Sequence, residues 1–367
     1  MLSATQRARL VRAWREGLPA PWDTVLAVAA LAYRAGLALR RAAYACGLRT
    51  TRTLPCRVVA IGNLTIGGTG KTPLVELIAR TLSARGRRVA ILSRGYGRRA
   101  SDGPRLVSDG QRLVASVADG GDEPILLARR LADVPGGVPI IVDRDRFRGG
   151  AFTLRRFRPD VLLLDDGFQQ MRLRKDVEVV CLDARAPWGH RGLFPRGSLR
   201  EPPAALGRAD LLVLTHAAGR PDLRHVETEL RARAPSAPLA LASYEPEAVE
   251  DLGAGTVTGV GVLRGRRVVA FAGIAVPENF AATLAELGVT PLDFVPFPDH
   301  HPYEPGDLAT LEARARAVAA EVLLTTEKDA VRLPPPGTLP VWVLRVRLRL
   351  RGDAAWWAVL DAHLGTP

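Results

Sequence analysis

The sequence predicts an α/β protein: a parallel sheet covered by helices on both faces, followed by a second, smaller α/β unit. Three observations predict it. Short apolar runs alternate with amphipathic helical patterns from Arg57 to about residue 234, as in a parallel sheet whose crossovers are helical. A glycine-rich stretch, Gly62-Asn63-Leu64-Thr65-Ile66-Gly67-Gly68-Thr69-Gly70-Lys71-Thr72-Pro73, joins the first of those runs to the first helical pattern. A second alternation resumes at Val268. At 367 residues and 47% hydrophobic content, the chain is long and apolar enough for two domains.

In order, residues 1–48 form a basic and helical segment, 49–245 the first α/β domain, 246–350 linker strands and the second domain, and 351–367 a terminal helix and tail. The first segment opens with Arg7, Arg9, Arg12 and Arg15, then Trp22 and the apolar run Val25–Tyr33, closed by Arg34. That nine-residue run is well short of the ~20 residues that span a bilayer. Two readings stand. Trp22, Tyr33 and Tyr44 with flanking arginines, Arg34 and Arg41 sharing a face, suit a helix lying on a membrane surface. A core helix packed on the first domain suits the same pattern.

Strands are expected at 57–62, 88–93, 138–142, 160–165, 177–182 and 210–215, and helices at 72–85, 122–132, 145–157 and 222–234. Near Ser243–Pro246 the pattern loosens, and 249–266 reads as linker strands rich in Gly, Val and Thr. The second unit has strands at 268–272, 292–295 and 322–326 and helices at 277–288 and 305–320. A late strand, 341–348, and a helix, 354–364, close the chain. In open parallel sheets ligands bind at the carboxyl ends of the strands, so the loops there carry the chemistry.

Net charge is +13, which favours an anionic partner: nucleic acid, an anionic membrane or a phosphorylated substrate. Only 5% of residues are aromatic, with no interleaving of basic and aromatic positions, which argues against a stacking platform for nucleic acid. Cys46, Cys56 and Cys181 are odd in number and widely spaced, the usage of reduced thiols in a cytosolic compartment. Neither a zinc-ligand spacing nor a secretory signal is recognised.

The glycine-rich stretch reads as a phosphate-binding loop, the plain alternative being a turn that joins strand to helix without a ligand. Glycines let the backbone wrap an anion closely, and the helix it opens presents free N–H groups and a positive dipole end. Lys71 would reach the β- and γ-phosphates and the Thr72 hydroxyl would hold Mg²⁺, with Thr65 to Gly70 as the cradle. The chain has 51 Lys and Arg together but only three lysines, Lys71, Lys175 and Lys328, so a lysine in this loop stands out against the arginine usage.

Val161-Leu162-Leu163-Leu164 ends in Asp165-Asp166, the place where a P-loop protein orients its metal; in a regular strand adjacent side chains diverge, so at most one contacts it. Gly121-Asp122-Glu123-Pro124 sits at a helix start, as capping acids or as a general base and metal ligand. Asp299-His300-His301 lies in a polar loop, where a single His working with a distant carboxylate is the functional reading and a surface loop the plain one. Thr325-Thr326-Glu327-Lys328-Asp329 ends a strand of the second unit. Arg94, in Arg94-Gly95-Tyr96-Gly97-Arg98, and Arg200, in Leu199-Arg200-Glu201-Pro202, place guanidinium groups near the ligand edge, where they suit bidentate phosphate contacts.

Together these stretches resemble the tetraacyldisaccharide 4′-kinase family, in order, from about residue 20 to about residue 350: Thr65–Pro73, Ser93–Arg98, Gly121–Pro124, Asp165–Gln169, Leu199–Pro202, Gly273–Ala275 with Pro277-Glu278, Asp299–His301 and Thr326–Ala330. The resemblance implies a P-loop NTPase-like α/β/α sandwich, a smaller α/β/α domain and a two-stranded linker. It also implies an ATP- and Mg²⁺-dependent kinase, peripheral on the cytoplasmic face of the inner membrane. This would phosphorylate the 4′-hydroxyl of a tetraacylated disaccharide 1-phosphate, a lipid A precursor, to give lipid IV-A. By motif, Lys71 and Thr72 bind phosphates and metal, Asp122 is the base supported by His300, and Glu123, Asp165 and Asp166 are the acids around Mg²⁺. Arg94, Arg200 and Glu201 lie beside the substrate. Gln170 and His190 depart from the family pattern, which has His and Asn there. A rival, the membrane-associated regulatory ATPase of the partitioning type, typically carries a lysine early in its loop, where this chain has Thr65-Ile66. Nucleic acid is not expected as a partner.

Overall fold

A computed structural model describes residue 14 and residues 21–95, 102–190, 192–217, 220 and 222–365. Arg7, Arg9, Arg12 and Arg15, and Tyr96, Gly97 and Arg98, lie outside the described residues. The chain forms two compact units, one of residues 11–243 and 348–367 and one containing residues 244–347.

The first unit, the P-loop unit, opens with helix α1, Trp22–Ala45. At 24 residues it is far longer than the apolar run within it, and by length and composition it is able to cross a membrane. Arg34, Arg40 and Arg41 interrupt the hydropathy but not the helix, because arginine, alanine and leucine are all good helix formers. No residue of α1 is fully buried. Its two faces differ. Asp23, Leu26, Ala30, Tyr33, Leu37, Arg41 and Tyr44 form a partly covered stripe at three- and four-residue spacing. The opposite face leaves Trp22, Val25, Val28 and Leu31 more than half exposed. The core-packing expectation therefore describes one stripe only. Arg34 and Arg41, expected to share a face, differ in use: Arg34 is exposed, whereas the long Arg41 side chain turns inward to Glu201.

The sheet follows. Its strands are β1 (Arg57–Gly62), β2 (Val89–Ser93), β3 (Arg105–Ser108), β4 (Ile140–Val142), β5 (Val161–Asp165), β6 (Val177–Asp183), β7 (Leu211–Thr215) and the start of β8 (Leu239–Asp251). The order is β8-β7-β6-β1-β5-β2-β4-β3, parallel except for β3 against β4. The crossover helices are α2 (Lys71–Ala84), the one-turn α3 (Val117–Gly120), α4 (Asp122–Arg130), α5 (Arg146–Phe157) and α6 (Leu223–Arg233). The central strands are continuous apolar runs because both faces are covered. On one face Val58, Ala60, Ala90, Leu92, Leu162 and Leu164 pack under α5; in α2, Leu74, Val75, Ile78, Ala79 and Leu82 make the buried face. Three elements escaped the sequence pattern. β3 and α3 are only four residues each, too short to show a period, and β8 runs straight through Ser243–Pro246.

In the second unit β10 (Val268–Ala272) lies between β11 (Asp293–Pro296) and β12 (Val322–Thr326), and β13 (Val341–Arg351) extends the parallel set. The end of β8 pairs antiparallel with the two-residue β9 (Val257–Thr258). Helices α7 (Pro277–Glu286), α8 (Pro305–Ala317) and the one-turn α9 (Glu327–Ala330) complete it. Alternation along β10 divides the core: Val268, Ala270 and Ala272 pack with Phe280 and Leu284 of α7, and Val269 and Phe271 with Leu308, Leu311 and Ala315 of α8. After β13 the chain returns to the P-loop unit, where α10 (Ala354–Leu364) buries Trp356, whose indole N–H donates to Leu212 O at 3.0 Å.

Candidate active site

Strand register builds the first part of the site. β1 is central, and Ile61 lies level with Asp165 of β5. Leu92 of β2 is level with Leu164, which sets Ser93 beside Asp165. The carboxyl ends of β1, β5 and β2 thus bring the loop Gly62–Gly70, Asp165-Asp166 and Ser93-Arg94 to one edge. Close approach fixes Gly62, since a Cβ there would sit 2.4 Å from Phe168 Cβ.

The loop then turns on Gly67 at φ 132° and Gly70 at φ 85°, both in the left-handed region that glycine occupies freely. Gly70 caps α2, so Lys71 and Thr72 are its first residues, with the helix N-terminus facing the cradle. Thr69 O is drawn back into the sheet by Cys181 Sγ at 2.7 Å and Thr215 Oγ1 at 3.2 Å. Thr65, the residue that replaces the usual first glycine, makes a β-bridge with Leu199, and Ile66 N donates to Ser198 O at 2.7 Å. A side chain is tolerated at Thr65 because the loop here runs extended against a second segment.

The two aspartates have different surroundings. Asp165 is buried; its Oδ2 accepts from Ser93 Oγ at 2.9 Å, and its Oδ1 has no partner. Burial, then the charges of Glu123 and Asp166, push its carboxyl up to about 6. Asp166 adopts φ 56° and turns away from its neighbour. Both its oxygens accept from Arg200 Nη1, at 2.7 and 2.8 Å, and Lys71 Nζ lies 3.8 Å away. Burial alone would raise its pKa, but Lys71 and Arg200 hold it well below the usual carboxylate range.

Asp122 and Glu123 form the first turn of α4 behind Gly121, the N-cap at φ 89°. Asp122 is partly buried, and its Oδ1 accepts from Glu123 N at 3.0 Å. An acid in the first turn is stabilised as the anion by the helix dipole. Arg94 is exposed after β2, and Glu201 is held by Arg41 and by Arg208 at 3.1 Å. Gln170 Oε1 accepts from Arg172 N at 3.2 Å, and His190 N donates to Ser198 Oγ at 2.8 Å. Both departures from the family pattern are accommodated locally.

One buried residue was invisible to motif reading. Arg146, the first residue of α5, donates to Asp165 O at 3.1 Å and to Asp143 O. Burial draws its pKa down to about 10. The only signal was an Asp-Arg-Asp-Arg run, 143–146, after a strand.

In the second unit, the Asp299-His300-His301 loop follows β11. His300 stands at φ 58° with Nε2 3.8 Å from Asp299 Oδ2, and His301 Nε2 lies 2.9 Å from Asp307 Oδ2. Asp329 organises this end. Fully buried, it accepts from Gly273 N (3.0 Å), Tyr303 OH (3.0 Å), Thr326 Oγ1 (2.6 Å) and Arg332 Nη2 (2.7 Å). Arg332 in turn donates to His301 O at 3.2 Å and Gly273 O at 3.1 Å. The sequence pattern gave no sign of this network, because it joins Asp329 and Arg332, three residues apart, to Tyr303 and Gly273, which are distant along the chain.

Among the described residues no three His, Cys, Asp or Glu side chains form a ready metal cage. A divalent cation nevertheless fits at Asp165, which has an unpartnered buried oxygen and feels the charges of Glu123 and Asp166. Mg²⁺ characteristically uses one or two carboxylates and completes its shell with phosphates and water.

Comparison with known proteins agrees with this geometry. The family model described as tetraacyldisaccharide-1-P 4′-kinase matches residues 22–365. The tetraacyldisaccharide 4′-kinase of Syntrophus aciditrophicus is 42% identical over 363 residues, covering 94% of this chain and 95% of that protein. That of Geobacter metallireducens is 44% identical over 311 residues, covering 85% and 88%. Among solved structures, the "apo" form of LpxK from Aquifex aeolicus in complex with ATP aligns with a TM-score of 0.74 at 29% identity, over 94% of this chain and 100% of that one.

Proposed function

The chain belongs to the tetraacyldisaccharide 4′-kinase family, and from that premise we propose how its residues transfer the γ-phosphoryl group of ATP to the 4′-hydroxyl of tetraacyldisaccharide 1-phosphate, a step of lipid A biosynthesis. The observation that carries the reading is the edge where the Gly62–Gly70 cradle, Lys71, Asp165 and the Arg200–Asp166 pair converge.

The cradle N–H groups and the N-terminus of α2 bind the phosphates of ATP, with Lys71 neutralising the charge that builds on the bridging and γ-oxygens. Thr72, Asp165 and Glu123 are the residues we assign to Mg²⁺, which when bound would offset the negative charge of the phosphates. Asp165 is favoured over Asp166 for direct contact, because Asp166 is occupied by Arg200 and Lys71. Asp122, ionised at the start of α4, takes the proton of the 4′-hydroxyl as its oxygen bonds to phosphorus and the bond to ADP breaks. His300 is assigned to the acid–base chemistry, and Arg94, Arg200 and Glu201 as the groups beside the acceptor. The acceptor's acyl chains call for a membrane surface. We assign the exposed apolar face of α1, helped by flanking arginines, to an anionic leaflet, the cytoplasmic face of the inner membrane.

Labelled γ-phosphate incubated with protein, Mg²⁺ and detergent-solubilised tetraacyldisaccharide phosphate is expected to appear in the lipid. ATP hydrolysis without labelled lipid would instead favour the regulatory ATPase.

A further inference from the structure

The polar bonds of α1 land on two short segments of the P-loop unit. Tyr33 OH donates to Arg200 O at 2.9 Å, and Arg41 pairs with the Glu201 carboxylate. Arg40 Nη2 donates to Gln169 O at 3.1 Å. The first segment, 198–201, is itself stitched to the phosphate-binding loop: Arg200 N donates to Leu64 O and Ile66 N to Ser198 O, both at 2.7 Å. The second, 166–169, is stitched to the same loop by Gln169 Nε2, which donates to Asn63 O at 2.8 Å. Each segment carries one partner of a single ion pair, Arg200 on one and Asp166 on the other. Asp166 is in the left-handed region at φ 56°, a conformation that persists only where the surroundings over-determine it.

We propose that Tyr33, Arg40 and Arg41 are positioning residues for phosphoryl transfer, fixing the two segments so that the Arg200 guanidinium stays on Asp166 beside Lys71. The inference rests on the kinase reading and adds to it: α1 braces the active site with one face, whatever its other face binds. Anchoring alone needs the apolar outer face of Trp22, Val25, Val28 and Leu31. It gives no reason for three inward donors aimed at the main chain and carboxylate of 169 and 200–201. The brace has depth, because Glu201 is also held by Arg208 at 3.1 Å, and Arg208 stacks on Phe168 at 4.4 Å, within the second segment.

The test is steady-state kinetics in detergent micelles, which remove the need for membrane docking, on Tyr33→Phe and Arg41→Gln, each alone and with Arg200→Ala. Each single variant is expected to lower kcat about five- to tenfold, the size of one or two lost hydrogen bonds, with the lipid KM within about twofold of wild type. Arg41→Lys, which keeps a charge for Glu201, is expected to recover most of the loss. In the Arg200→Ala background neither variant is expected to lower kcat further, because both act through Arg200. Losses that multiply with Arg200→Ala, or that appear only in the lipid KM, overturn the proposal. A wild-type protein that labels no lipid refutes the kinase reading instead. The brace is then read by amide hydrogen exchange of residues 198–201, expected to be faster in Tyr33→Phe; unchanged exchange overturns it.

Discussion

Asp122 and Asp165 differ in what surrounds them, and their substitutions should differ in kind. Asp122 is partly exposed in a helix's first turn, so Asp122→Asn leaves the fold intact and removes the proton acceptor. Its kcat is expected to fall about 10²- to 10⁴-fold at saturating lipid and ATP. Wild-type turnover at pH 8 would contradict the assignment. Asp165 carries a buried negative charge with one oxygen unpartnered, which costs stability unless a cation answers it. Asp165→Asn is therefore expected to raise the melting temperature of the nucleotide-free protein while abolishing the further rise that ATP with Mg²⁺ produces. A lower melting temperature without ligand counts against this. The placement of Lys71, Thr72 and the paired acids at one sheet edge was legible because each sits in a contiguous run that ends a strand or opens a helix. The division of labour between Asp165 and Asp166 was not, because it depends on a left-handed turn at Asp166 and on Arg200, distant in sequence. Asp329 was missed for the same reason: beside its local partners Thr326 and Arg332 it gathers Gly273 and Tyr303 from distant stretches of chain.

Helix α1 shows what periodicity reveals and what it hides. The apolar run marked an element, but its length and its two faces depended on neighbours. Leu31→Ser, on the exposed face, is expected to weaken co-sedimentation with anionic vesicles and to leave kcat in micelles near wild type. Unchanged vesicle binding would remove the membrane role assigned to this face. The inner face has a pH dependence of its own. Burial alone would raise the Glu201 pKa, but Arg208 and Arg41, with Lys175 nearby, bring it below the ordinary value of about 4.3. A depressed folded-state pKa gives stability that is present above the unfolded pKa and lost as pH falls through the folded one. The melting-temperature gap between wild type and Glu201→Gln should accordingly be widest above about pH 5 and close as pH drops below about 4.3. A gap that stays constant across that range contradicts it. Strands with both faces covered were easily read from their apolar runs. The four-residue β3 and α3 and the long β8 were not, since too few residues or a polar stretch obscure the period.

For the whole molecule, the sheet order puts β1 at the centre and gathers the carboxyl ends of β5 and β2 beside it, which makes the glycine-rich loop the focus the sequence suggested. The net charge of +13 suits an acceptor that bears phosphate and lies in an anionic surface. The central claim is transfer to one hydroxyl of a lipid-linked sugar, and the position of the new phosphate tests it most directly. Phosphorus–proton correlation NMR on the lipid product, made with wild-type protein, ATP and tetraacyldisaccharide 1-phosphate, is predicted to couple the new phosphorus to the proton on carbon 4′. A product phosphorylated elsewhere, or ADP formed with no phosphorylated lipid, would contradict the account.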